Sequence, residues 1–287
     1  MKNNVLKYHL WFTGLFSLVF TACNTTYRVK LGEENEKKIY NLKYGEAKKQ
    51  NMDVFIPSSF NKKNPAVIIV HGGSWKLGRK EHMKMIQKFL HKNNIPTANI
   101  NYRLVNKRIT YKEQVVDIGL AIQKVNSLAE KEGFLKNNYV ILGESSGAHI
   151  AMLYGYNNPD QIKKIISLSG PTDFYTENYI NSFYSRYSSP TIQDVVGVKF
   201  NRKNLSEEFK KASPLANVTA VPTLIFQGDL DLLVNKKQGL ALDSVLTEKE
   251  IPHQLILMKN TGHTPRFFSR KKRENIIFPN ILKWINN

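Results

Sequence analysis

The chain has 287 residues, 23% of them charged, with 16 Gly and 11 Pro, which excludes collagen-like, coiled-coil and low-complexity architectures. Its single Cys cannot form an internal disulfide or half of a CxxC metal pair, and at this length a chain buries a large core without such staples. The formal charge of +19 is spread along the chain without a helix-turn-helix, RNP or zinc-finger pattern, so it reads as solvated surface, or else as a contact for acidic polysaccharide or lipid headgroups, and no nucleic-acid partner is expected.

Residues 1–23 differ in character from the rest of the chain. Lys2 and Lys7 precede an apolar stretch at residues 10–20. It is too short to span a bilayer, which takes roughly 20 apolar residues, and fits a secretory signal. It ends Phe20-Thr21-Ala22-Cys23 on the chain's single Cys, and that ending resembles a bacterial lipoprotein signal, with Phe20 where Leu is usual. The resemblance implies removal of residues 1–22, lipidation of Cys23 and a membrane anchor in the bacterial cell envelope. A plain signal peptide with a Cys near its cut is the other reading. Residues 23–38 are polar and read as a tether.

Residues 39–56 alternate loosely and stop at Pro57, as two antiparallel edge strands do. Ala66-Val67-Ile68-Ile69-Val70 is a continuous apolar run, the mark of a strand buried on both faces. Short apolar runs recur at 95–100, 139–142, 165–168, 223–226 and 254–258, with helical periods between them, as at Val115, Val116, Ile118, Ile122 and Val125. Strands alternating with helices predict a mainly parallel sheet in one α/β domain over residues 39–287. Residues 171–220 break the alternation and carry Phe174, Tyr175, Tyr179, Phe183, Tyr184 and Tyr187. A connection this long in a compact domain is usually functional. It reads as a partly helical cap, or else as a surface insertion that packs its own aromatics.

Gly143-Glu144-Ser145-Ser146-Gly147 is a GxSxG between a strand and a helix. A nucleophile on so sharp a turn needs small neighbours two residues to either side, and the helix N-terminus behind it presents free N–H groups. His71-Gly72-Gly73-Ser74-Trp75 comes directly after the buried strand at 66–70. Its glycines let backbone amides approach a developing oxyanion. Both motifs sit at carboxyl ends of strands, where open α/β sheets place their sites.

A serine nucleophile needs a base, and the base an orienting carboxylate. Among seven histidines, His9 lies in the signal, His82 and His91 in a surface helix, His71 and His149 in the motif turns, and His253 opens a strand. His263 remains, on a glycine-bearing loop after the last strand. For the acid, Asp231 is preferred over Asp229, which sits at the tight turn and is better placed to cap it. The order Ser145…Asp231…His263 is that of α/β hydrolases.

On these residues the chain resembles the α/β-hydrolase superfamily, specifically bacterial carboxylesterases with an HGGxW motif of the feruloyl and acetyl-xylan esterase group, related to kynurenine formamidases. Asn101-Tyr102-Arg103-Leu104, Ala212-Ser213-Pro214-Leu215 and the GDxDxxV at 228–234 look like further family features. The resemblance implies an α/β-hydrolase fold with helices on both faces of the sheet and a small cap at 171–220. It also implies Ser145 as nucleophile, His263 as general base, Asp231 as orienting acid, and an oxyanion hole from the amides of Gly73, Ser74 and Ser146. Ser74 stands for the third glycine of the HGGG variant and Ser146 for the usual alanine, but both act through backbone N–H.

The expected activity is hydrolysis of short-acyl esters, small or glycan-linked. Amide or formamide hydrolysis is one alternative, and a non-catalytic envelope binding protein another. No HExxH, Cys ligand set or clustered His pair suggests a metal, and no cofactor is expected.

Overall fold

The run Val67-Ile68-Ile69-Val70 is completely buried, as a strand covered on both faces must be. It lies at the centre of one sheet in the computed structural model, which describes residues 17–22, 25–31 and 36–287. The strands described are β1 (Ser17–Ala22), β2 (Thr25–Leu31), β3 (Lys37–Lys43), β4 (Asn51–Ile56), β5 (Val67–Val70), β6 (Thr97–Ile100), β7 (Tyr139–Glu144), β8 (Ile162–Leu168), β9 (Thr223–Gly228) and β10 (His253–Met258). Their order is β1-β2-β3-β4-β6-β5-β7-β8-β9-β10. From β6 to β10 every pairing is parallel, and from β1 to β6 every pairing is antiparallel.

Side chains alternate between two apolar layers. Val67, Ile69, Val140 and Leu142 face a layer with Ile86 and Leu90 of α1 (Lys84–Lys92) and Phe278 and Ile281 of the C-terminal helix Phe278–Asn286. Ile68, Val70 and Ile141 face the other, with Ile118 and Ile122 of α2 (Tyr111–Glu132) and Ile150 of α3 (Ser146–Asn157). α2 starts at a capping box: the Thr110 side chain accepts the Lys112 N–H, while Glu113 accepts the Thr110 N–H at 2.6 Å. It stops at Gly133, whose φ of 79° suits the left-handed C-cap.

The chain leaves β5 for β6 on one side and returns past β5 to β7 on the other. The loops after β5 and β7 therefore diverge, and a crevice opens at the carboxyl ends of these two strands. The HGGSW segment and Ser145 emerge there.

Residues 171–220 carry α4 (Glu177–Ile180), α5 (Phe183–Val196), α6 (Glu207–Lys211) and a 3₁₀ turn at Pro214–Asn217. The first three helices start at hydroxyl caps, Thr176, Ser182 and Ser206. The insertion is tied to α7 (Lys237–Glu248), where the Gln238 side chain accepts the N–H groups of Thr172 and Asp173 and donates to the Asp173 carbonyl.

Within the stretch expected as a tether at 23–38, Thr25–Leu31 forms β2 and pairs with β3, and the sheet extends to β1 within the expected leader. Tyr27, Val29 and Leu31 alternate with Arg28 and Lys30, which is the two-residue period of a strand, and β3 offers its edge to them. Cys23 lies outside the described residues. Among those residues no helix is long and apolar enough to cross a membrane.

Candidate active site

Ser145 stands between β7 and α3 with φ 54° and ψ −125°, a strained backbone that a side chain rarely adopts. The turn is possible because its flanks have no side chains. A Cβ on Gly147 would lie 2.2 Å from the His71 carbonyl oxygen, and one on Gly143 2.5 Å from the backbone of Ala148. The spacing read from the sequence thus has a steric cause.

The Ser145 hydroxyl donates to Nε2 of His263 at 2.8 Å. Nδ1–H of His263 donates to Oδ2 of Asp231, also at 2.8 Å. Asp231 is buried, and its other oxygen accepts the N–H groups of Leu233 and Val234 at 2.9 and 2.8 Å. These bonds hold the carboxylate in one orientation and fix the imidazole tautomer with Nε2 facing the serine. Asp229 takes a different partner: it accepts the Thr261 N–H at 3.1 Å, fastening the turn after β9 to the loop that carries His263.

Gly73 and Ser74 have φ values of 136° and 50°, so the loop after β5 turns sharply beside Ser145. Among the described residues no loop or turn hydrogen bond is donated by the backbone N–H of Gly73, Ser74 or Ser146, and Ser74 lines the cleft together with Ser145.

His71 and His149 are structural. Burial pushes each down to about 4, so both are neutral near pH 7. His71 stacks on Tyr102 with ring centroids 4.3 Å apart, and its Nδ1–H donates to the Gly72 carbonyl. His149 accepts from Trp75 Nε1–H at 3.1 Å and donates to the Ala212 carbonyl at 2.7 Å, joining the HGGSW loop, α3 and the insertion.

Two clusters escaped the sequence reading. Glu144, the residue before the serine, accepts from Arg266 through both oxygens at 2.5 and 2.7 Å, and Arg266 is 1% exposed. Arg266 lies three residues after His263, so this ion pair clamps the histidine loop to the nucleophile turn. Only its distance from Glu144 in sequence hid it. Arg103 of the Asn101–Leu104 segment likewise makes a bidentate pair with the fully buried Asp117 of α2.

Ser145, Asp231 and His263 line an open cleft of about 1130 Å³. Its walls include Trp75 from the HGGSW loop, Phe183, Tyr184 and Tyr187 from the insertion, and Leu232 and Leu233 after β9. The insertion's aromatics divide: Phe174 and Tyr179 are buried against Trp75, His149 and Phe200, whereas Phe183 and Tyr187 are about 70% exposed. Among the described residues no group of three or more His, Cys, Asp or Glu side chains is placed to hold a metal.

The chain is 25% identical over 263 residues to an isoprenylcysteine alpha-carbonyl methylesterase of Arabidopsis thaliana, covering 85% of this chain and 61% of that protein. It is 27% identical over 152 residues to a kynurenine formamidase of Salmo salar, half of each chain. The chain thus spans less than two thirds of the length of these relatives. Among solved structures, a truncated carbohydrate esterase from gut microbiota superposes with a TM-score of 0.70 at 21% identity, over 87% of this chain and 98% of that one. The esterase Est2 of Thermogutta terrifontis, in a butyrate-bound form, gives 0.66 at 16% identity, over 85% and 90%. These likenesses carry the α/β-hydrolase fold expected from the sequence motifs. Residues 52–246, about two thirds of the chain, match the BD-FAE family, and the chain belongs to that family.

Proposed function

We propose that this protein is a serine carboxylic-ester hydrolase, and the observation that carries the proposal is the hydrogen-bonded chain Ser145–His263–Asp231 lining an open cleft. As His263 Nε2 takes its proton, Ser145 Oγ attacks the ester carbonyl. Asp231 stabilises the resulting imidazolium, and the amides of Gly73, Ser74 and Ser146 receive the oxyanion, each donor worth roughly 3 kcal/mol of the barrier. His263 then protonates the leaving alcohol. Water, deprotonated by the same histidine, attacks the acyl-enzyme and frees Ser145.

The proposed substrates are esters of short acyl groups, acetyl to butyryl, acetyl esters of glycans among them, together with feruloyl esters of glycans, whose planar acyl group would lie on the aromatic wall. The strained glycine loop beside Ser145 leaves little room for a long chain, while the open aromatic wall accepts a planar or sugar-linked alcohol. The carbohydrate esterase and the butyrate-bound esterase among the structural neighbours agree with this reading. The formamidase relative supports amide or formamide hydrolysis by the same groups as the second reading. Rates of the purified protein on 4-nitrophenyl esters of increasing chain length, on acetylated and feruloylated glycans and on an aryl formamide separate the two. Fastest turnover on acetyl to butyryl esters supports the first, a formamide preference supports the second, and a peak at lauroyl esters contradicts both.

The proposed location is the bacterial cell envelope, with Cys23 lipidated after removal of residues 1–22. Cys23→Ser is expected to block processing or, in high salt, to release the protein from the membrane fraction, and correctly cleaved Cys23→Ser that stays membrane-bound in high salt would count against the anchor.

A further inference from the structure

Two of the loops that carry the proposed triad each have an unusual surface. The loop after β9, beyond Asp231, exposes Leu232 by 89% and Leu233 by 64%. Exposed Lys236 and Lys237 come within one turn of them. The loop after β10, beyond His263, exposes Phe268 by 88% and Phe267 by 45%, with Arg270 and Lys271 close behind. Among the described residues none of these four cations has a salt-bridge partner, although Lys76, Lys112 and Lys136 elsewhere on the surface do. Each loop therefore repeats one pattern, an exposed apolar pair and then a free basic pair, and Leu232, Leu233 and Lys237 also line the cleft.

We propose that these two loops dock the rim of the cleft onto an anionic lipid surface, the apolar pairs entering the headgroup boundary and the cations meeting the phosphates. Exposed Phe and Leu side chains beside Lys and Arg are the residue types with which interfacial segments meet a lipid surface. The core of a protein–protein interface is depleted in charge, Lys included. The chain's +19, of which only Lys2 and Lys7 lie in the expected leader, gives the long-range attraction for a negative surface. The surface would thereby present the cleft to esters at or near the bilayer. That consequence rests on the hydrolase reading, whereas the lipid contact itself does not.

The chain's single Cys makes a local test direct. In a Cys23→Ser background, Phe268→Cys is labelled with an environment-sensitive fluorophore and titrated with vesicles of phosphatidylcholine, with and without phosphatidylglycerol. The label is expected to shift to the blue on the anionic vesicles, to shift little on phosphatidylcholine alone, and to revert at high salt. A label at Glu130→Cys, on the surface of α2, is expected to stay in water throughout. Adding Arg270→Ser and Lys271→Ser should raise the vesicle concentration at half-shift about 25-fold, each cation near an anionic surface being worth about five-fold. A Phe268 label that stays in water on anionic vesicles overturns the proposal. So does a shift without vesicles that grows with protein concentration, since a second copy of the chain would then cover the loop. Repeating the titration with Ser145→Ala keeps the two claims apart: an unchanged shift leaves the docking intact whatever becomes of the hydrolase reading.

Discussion

Asp229 and Asp231 are two residues apart on one turn, yet only Asp231 reaches His263. Asp231→Asn is expected to lower kcat by roughly four orders of magnitude, because an amide can hold the imidazole in the wrong tautomer. Asp229→Asn, which keeps an oxygen for the Thr261 N–H, should stay within about tenfold of the parent, since no reacting group is touched. Equal losses in steady-state assays of the two variants would contradict these roles. The Glu144–Arg266 pair gives a second residue-scale prediction. Arg266→Met leaves a buried carboxylate without its cation, a change that costs about 3–5 kcal/mol. Much of that loss should return in the double variant Glu144→Gln, Arg266→Met, where no buried charge remains. Urea unfolding of the parent and both variants measures it, and a double variant no more stable than the single one would show that the pair is not what holds the loop.

At the scale of elements, the insertion separates packing from recognition. Tyr179 is buried against Phe174 and Phe200, and its hydroxyl bonds to Ser188. Tyr179→Ala is expected to destabilise by about 3–5 kcal/mol, as removal of a buried aromatic does. Tyr187, exposed on the cleft wall, should instead change the ranking among substrates on truncation to Ala, by no more than about 1–3 kcal/mol, while leaving the melting temperature nearly unchanged. Chain-length profiles of kcat/KM beside melting curves separate the two effects, and the reverse assignment would mean that the cap has been misread. Residue spacing made the central strands legible, because apolar runs such as 66–70 and 139–142 can only be doubly buried. It marked 171–220 as partly helical without placing the helices, although Thr176, Ser182 and Ser206 each cap one and Ser206-Glu207-Glu208 is a recognisable helix start. β2 was missed for the opposite reason: the charges of Arg28 and Lys30 masked a strand alternation. The motif serine and its partners were legible because their constraints are local. Glu144–Arg266 and Arg103–Asp117 join residues 122 and 14 positions apart, and pairing across such gaps leaves no periodic trace.

At the scale of the whole molecule, the two buried neutral histidines tie stability to pH. Unfolded imidazoles bind protons below about 6.5. His71 and His149 in the fold resist protonation until about 4. Across that window the unfolded state takes up more protons, so stability is fully present above pH 6.5 and is lost as pH falls toward 4, each unit of depression being worth about 1.4 kcal/mol. Melting temperatures are expected to drop over this range, and to drop less in His149→Gln, whose baseline at neutral pH is lower. An equal slope in that variant would exclude His149 from the effect. The same fold brings three distant segments, 143–147, 228–234 and 260–265, to one end of the sheet, where together they would make Ser145 a nucleophile. Rapid mixing of the protein with 4-nitrophenyl acetate, quenching and peptide mass analysis tests this most directly. A burst of 4-nitrophenol stoichiometric with protein, an acetyl group on the peptide containing Ser145, and loss of turnover by several orders of magnitude in Ser145→Ala are expected. An acetyl group carried elsewhere, or a Ser145→Ala variant that keeps more than about a tenth of the rate, would contradict it.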